Sequence, residues 1–173
     1  MINLQLLLEG RYDYGCVMGR LDEETSYKIL EFNNRLIGED VLYTEEENHG
    51  REVTPHITIK FGLTESYSQE QMREILRETL PFMLEVRGTS LFEDKCYDVV
   101  KFDVEGKELR ALNEIFCKLP NHDSHPEYNP HMTLAYVRKG MGKNFVREAQ
   151  RFARVPVNMI EYSDRGVKSY YNL

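Results

Sequence analysis

At 173 residues, 41% hydrophobic and 29% charged, the chain has the size of one folding unit and is too apolar for wholesale disorder. Its three cysteines, Cys16, Cys96 and Cys117, form no C-x-x-C pair, which excludes a disulfide framework or thiolate zinc knuckle and fits a reducing, cytoplasmic compartment. A net charge of −7 argues against a surface that coats long nucleic acid, and the run Leu6-Leu7-Leu8 is too short for a membrane segment.

Tyr14 to Met18 reads as a short strand. Asp22 then suits an N-cap, with Glu23 and Glu24 complementing the dipole of a helix that carries Ile29, Leu30, Leu36 and Ile37. The polar stretch from Tyr43 to Thr54 is a loop that abuts the next strand, either a lid or an ordinary connection. His56 to Phe61 alternates as a strand should, and Ser68 and Gln71 form a capping box before Met72, Ile75, Leu76 and Leu80. Strands follow at Phe82–Arg87 and Cys96–Val104. Leu109, Leu112, Ile115, Phe116 and Leu119 make the clearest amphipathic helix. After a loop from Pro120 to Pro130, His131 to Val137 is a strand, Lys143 to Arg154 a helix, and Val155–Tyr162 and Gly166–Tyr171 the closing strands. Closely spaced neighbouring strands must pair antiparallel, so the fold class is α+β, with residues 1–173 as a single domain.

Two segments repeat one pattern. Pro55-His56-Ile57-Thr58-Ile59 and Pro130-His131-Met132-Thr133-Leu134 both read Pro-His-apolar-Thr-apolar at the start of a strand. Alternation puts His56, Thr58 and Lys60 on one face of the first strand, and His131 and Thr133 on one face of the second, with apolar residues opposite. An imidazole titrates near neutrality, so two of them can serve as general base and general acid. Hydroxyls about 7 Å along the strand can hold phosphate oxygens, and Lys60 can add charge. Facing one another, the two sets suit metal-free cleavage of a phosphodiester, with a ribose 2′-hydroxyl as nucleophile and a 2′,3′-cyclic phosphate as first product. Which histidine is base and which is acid stays open.

The paired His-apolar-Thr-apolar motifs resemble the two-histidine (2H) phosphoesterase superfamily. That resemblance implies two pseudo-symmetric lobes of antiparallel strands with flanking helices around a central groove, catalytic His56, Thr58, His131 and Thr133, and no cofactor. Tyr14-Gly15-Cys16-Val17-Met18 and the lead-in His49-Gly50-Arg51-Glu52 are similar to the phage anti-CBASS phosphodiesterases, which cut cyclic di- and trinucleotide immune messengers. The implied partner is a small cyclic oligonucleotide in the host cytoplasm, with Glu161 near its base or ribose. Tyr14 can stack on a base or pack in the core or at a sheet edge.

The charge is uneven. From Tyr128 onward, eight basic residues stand against three acids, leaving +5 there and −12 in the remainder, an asymmetry that fits either an anion-facing side or a solvated face. His122, His125 and His131 with Asp123 have a metal-like spacing, yet His131 is better explained by its twin, so no metal is expected. Cys16 and Cys117 sit in apolar patterns and are expected to be buried. The competing functions are an RNA-end enzyme acting on 2′,3′-cyclic phosphates or 2′-5′ bonds, a non-cleaving cyclic-nucleotide sponge, and a metal hydrolase.

Overall fold

The computed structural model describes residues 14–46, 49–122, 127–147 and 154–173. Leu6-Leu7-Leu8, Asp123, His125 and half of the helix expected from Lys143 to Arg154 lie outside the described residues. The elements run β1 (Gly15–Arg20), α1 (Glu23–Leu36), a 3-10 turn (Glu39–Val41), β2 (His56–Leu63), α2 (Gln69–Leu76), β3 (Phe82–Glu93), β4 (Tyr97–Glu105) and α3 (Lys107–Cys117). They continue with β5 (His131–Arg138), a 3-10 turn (Gly142–Phe145), β6 (Arg154–Val157), β7 (Met159–Asp164) and β8 (Val167–Asn172). Asp22 caps α1 by accepting from the Thr25 amide, and the Ser68/Gln71 capping box forms at α2.

The strands make two four-stranded antiparallel sheets, ordered β2-β1-β7-β8 and β5-β4-β3-β6. The two orders correspond position for position, so the expected two-lobed α+β architecture is present, with each His-x-Thr strand at one edge of its sheet. Between β6 and β7 the chain passes from one sheet to the other through the single residue Asn158. The sequence predicts one continuous strand over Val155–Tyr162. The apolar alternation runs unbroken through Asn158, and the sheet change leaves no trace in it.

The helices are exchanged between lobes. α1 follows a strand of the first sheet but packs under the second, where Phe32 stacks on Phe102 at 5.4 Å between ring centroids. α3 follows a strand of the second sheet and packs against β2 of the first. Buried Ile29 on α1, and Leu109, Leu112 and Phe116 on α3, complete a core with Ile57, Ile59, Met132 and Leu134.

The helix expected from Lys143 to Arg154 fails in its described part. After the 3-10 turn, Arg147 pairs with Thr89, giving N–H···O bonds of 2.8 and 3.3 Å in the two directions. Tertiary pairing therefore overrides the helical spacing of Phe145 and Val146. Helix α2 ends at Leu76, so Leu80, expected on its apolar face, is exposed. Cys117 is also exposed, and Cys16 is half-buried.

Gly62 has φ +92°, and its carbonyl accepts from the His122 amide at 2.7 Å. A methyl group there would collide with the His122 carbonyl. Gly62→Ala is therefore expected to cost about 1–3 kcal/mol, from strain at positive φ plus displacement of the 120–122 strap. Chemical denaturation reads this as a lower midpoint at unchanged slope.

Candidate active site

β2 and β5 are the facing edge strands of the two sheets, and their Cα atoms approach within 8 Å although no ladder joins them among the described residues. Each motif histidine is the first residue of its strand, half-buried, and held in the same way. His56 Nδ1 lies 2.9 Å from the Thr54 carbonyl, and His131 Nδ1 lies 2.8 Å from the Asn129 carbonyl, two residues back in each case. A carbonyl only accepts, so each Nδ1 carries its hydrogen and each Nε2 is left to exchange a proton with a ligand. The two rings sense one another: a charge on His56 disfavours a proton on His131. His131 is held below the ordinary imidazole range, first by burial and then by the Lys101 and His56 charges, against opposing contributions from the Asn129 carbonyl and Asp103. Its protonated form is therefore disfavoured, and its capacity to accept a proton is lost only as the pH falls through that lowered midpoint.

Strand pairing also places Thr58 and Thr133 beside their histidines. Both strands then carry a bulge at the same point. Met18 pairs with Thr58 but Val17 with Lys60, skipping Ile59; Lys101 pairs with Thr133 but Val100 with Ala135, skipping Leu134. The burial sequences match residue for residue through the seventh position. This corrects the expectation for Lys60. The bulge turns it to the side of buried Val17, and it is only 5% exposed, whereas Phe61 takes the groove-side position. In β5 the corresponding place falls to Tyr136.

The bulges are clamped from the opposite lobe. Asn33 of α1 donates its side-chain amide to the Leu134 carbonyl at 2.7 Å, and Asn113 of α3 donates to the Ile59 carbonyl at 2.7 Å. Tyr128 OH donates to the Thr58 carbonyl at 2.9 Å. The segment read as a lid or a connection is strapped along β5. Leu42 and Arg51 bridge to Val137 and Ala135, the Glu52 amide donates to the Leu134 carbonyl, and Arg51 is anchored on Asn33, Ile37 and Glu39. Its described residues at these points therefore buttress β5.

Tyr14 stacks on His122, with ring centroids 5.8 Å apart, and meets Phe61 edge-on at 6.1 Å, forming an aromatic surface beside the first motif. Glu161 stands beside Met18, the ladder neighbour of Thr58, and so lies on the motif face of its sheet. It is 0% exposed and pairs with Arg20, whose Nε donates at 2.7 Å, and with Lys168 Nζ at 3.1 Å. In this arrangement Glu161 orients Arg20. Arg20 in turn donates from Nη1 to the Thr54 carbonyl at 3.1 Å, the same oxygen that anchors His56.

Sequence reasoning missed Arg20, Ser90, Lys101 and Asp103. Asp103 pairs across the ladder with His131, and Lys101 with Thr133. Lys101 Nζ donates to Ser90 Oγ at 2.7 Å, forms an ion pair with Asp103, and sits 4.4 Å over the Phe92 ring, whose neighbour is the His131 ring at 4.9 Å. The alternation Lys101-Phe102-Asp103 was legible, but the strand register that brings it to the second motif was not. Four of the tail's eight basic residues pair with acids: Lys139 with Asp98, Lys143 with Glu93, Arg165 with Asp164 and Lys168 with Glu161. Among the described residues, no group of three His, Cys, Asp or Glu side chains is placed to hold a metal.

Residues 42–157, more than half of the chain, match the model of the 2′-5′ RNA ligase superfamily. The chain belongs to that superfamily, the two-histidine phosphoesterases. Over 93 residues it is 31% identical to the phosphoesterase OB1230 of Oceanobacillus iheyensis, covering 48% of this chain. The chain spans about half the length of that curated relative, 52%. The fold of this superfamily member is that of Escherichia coli LigT, with TM-score 0.61 at 13% identity over 93% of this chain and 94% of that one. It is likewise that of Kluyveromyces marxianus Usb1, with TM-score 0.59 at 8% identity over 93% and 98%. TT0787 of Thermus thermophilus gives TM-score 0.55 at 19% identity over 92% and 94%.

Proposed function

We propose that this superfamily member is a phosphodiesterase that cuts the 3′-5′ linkages of small cyclic di- and trinucleotides, the immune messengers of bacterial antiviral defence, in the manner of a phage counter-defence enzyme. The observation that carries the phosphodiesterase reading is the identical tethering of His56 and His131, which leaves two Nε2 atoms on facing strands, each with a threonine hydroxyl beside it. One Nε2 removes the proton of the ribose 2′-hydroxyl as the new O–P bond forms. The other gives its proton to the departing 5′-oxygen as the P–O5′ bond breaks. Thr58 and Thr133 donate to the non-bridging oxygens, where charge builds. Both proton transfers are supplied by the chain itself, so neither a metal nor a cofactor is required by the scheme. E. coli LigT with phosphate or 3′-AMP, and K. marxianus Usb1 with uridine monophosphate, are nucleotide- or phosphate-bound neighbours that support a phosphate-centred site.

Two features favour a small ligand over long RNA. The chain is acidic, and the basic side chains across the ladder from the motifs, Arg20 and Lys101, already pair with Glu161 and Asp103. The aromatic surface of Tyr14 and Phe61 offers a base a stacking face. A second reading, an RNA 2′-5′ or 2′,3′-cyclic phosphodiesterase, is favoured by the family model that matches.

Incubation with cyclic di- and trinucleotides, a 2′-5′-linked dinucleotide and a 2′,3′-cyclic mononucleotide, all with chelator and read by mass spectrometry, decides between them. Linear products from the cyclic compounds are expected. Cleavage confined to the 2′-5′ or 2′,3′-cyclic compounds establishes the RNA reading instead. Binding of cyclic nucleotide without cleavage establishes a sponge, and activity abolished by the chelator overturns the metal-free scheme.

A further inference from the structure

The two motifs match in backbone, bulge and imidazole tether, but the side chains beside the two histidines do not. Across the ladder from His56 stands Arg20, and from Thr58 stands Met18. Across from His131 stands Asp103, and from Thr133 stands Lys101. Directly opposed residues of an antiparallel pair have Cβ atoms about 5 Å apart, so Asp103 is the natural anionic partner for a protonated His131. It does not take that role. Its carboxylate accepts from Lys101 Nζ and from Ser90 Oγ, the latter at 2.8 Å. Lys101 is fixed there by burial at 5% exposure, by Ser90 and by the Phe92 ring, which stands edge-on to His131.

We propose that Lys101 is a positioning residue: by capturing the Asp103 carboxylate it deprives His131 of an anionic partner, so that this ring stays unprotonated and is the proton acceptor of the pair. The charged groups that bear on His131 are Lys101 and Asp103 from β4 and His56 from β2; β3 contributes the uncharged Ser90 and Phe92. Each of the three acts in a known direction: Lys101 and His56 repel a proton from His131, and Asp103 attracts one. Removing Lys101 both deletes a repulsion and releases an attraction. Removing Asp103 leaves Lys101 unopposed. The two single variants must therefore move His131 in opposite directions. His56 is then left to supply the proton to the leaving oxygen, an assignment that rests on the phosphodiesterase reading; the capture of Asp103 does not.

The test is an NMR titration of the His131 imidazole in wild type, Lys101→Met, Asp103→Asn and the double variant, alongside kcat/KM against pH. Lys101→Met is expected to raise the His131 midpoint by about one unit, a size usual for a carboxylate gained as a close partner. It should carry the acid limb of the rate profile upward equally, a roughly tenfold loss at pH values below that limb. Asp103→Asn is expected to lower the midpoint, and the double variant to return it toward wild type. An unmoved midpoint in Lys101→Met overturns the proposal, as does a rate loss in that variant that Asp103→Asn fails to rescue, which would put Lys101 on the substrate itself. If Lys101→Met does not fold, Asp103→Asn alone decides by the sign of its shift, and an unchanged midpoint counts against the proposal. Correct titrations in a protein that cleaves nothing would sustain the capture of Asp103 while removing the phosphodiesterase reading.

Discussion

Alanine at either His56 or His131 is expected to lower turnover by roughly 10²–10⁴-fold, since each substitution removes one of the two proton transfers. Both side chains are half-buried at the first residue of a strand, and each is tied to the fold by its tether to a nearby carbonyl. The fold should therefore survive, and the thermal midpoint should change far less than the rate. The double variant should lose little more than the worse single one, because general acid and general base act on the same bond cleavage and their effects do not add. Full activity in either single variant, measured by product formation from the preferred nucleotide, would end the acid–base scheme.

Arg20→Ala is expected to have the largest effect on stability. Glu161 has no exposed surface, and Arg20 supplies two of the N–H donors on its Oε2. Taking one member from a buried ion pair leaves the other's charge under-compensated, at about 3–5 kcal/mol. Lys168, on the other oxygen, holds the cost toward the lower end of that range. The same substitution releases the Thr54 carbonyl, so the tether of His56 slackens and turnover falls beyond what unfolding explains. Arg20→Lys keeps the charge but not the fork that reaches Glu161 and Thr54 together, so it should recover stability more than rate. Denaturation midpoints and kcat for the two variants check this. Equal recovery of both quantities by lysine would show that charge alone matters.

The parts of this molecule that were legible in its sequence are those governed by neighbours along the chain. The histidine and threonine pairs stood out because alternation in a strand is local, and the Ser68/Gln71 box because a cap is local. Lys60 was misplaced because strict alternation ignores the bulge, which exists only through pairing with Val17 and Met18 and the Asn113 clamp from another element. Glu161 was found as a notable acid, but its partners lie 141 residues away in the case of Arg20 and on β8 in the case of Lys168. The helix beyond Lys143 was undone by Thr89, 58 residues before its partner Arg147. Lys101 and Asp103 escaped notice because nothing in a Lys-Phe-Asp triplet announces which strand will lie beside it.

The traded helices bear on the spacing of the two motifs. Each His-x-Thr strand is propped by a helix whose chain begins in the other lobe, and its bulge is stitched to that helix by Asn33 or Asn113. Prising the lobes apart would strain both props at once, and the one-residue passage at Asn158 ties the far ends as well. The spacing of the two His-x-Thr strands is therefore built in by the same contacts that complete the core.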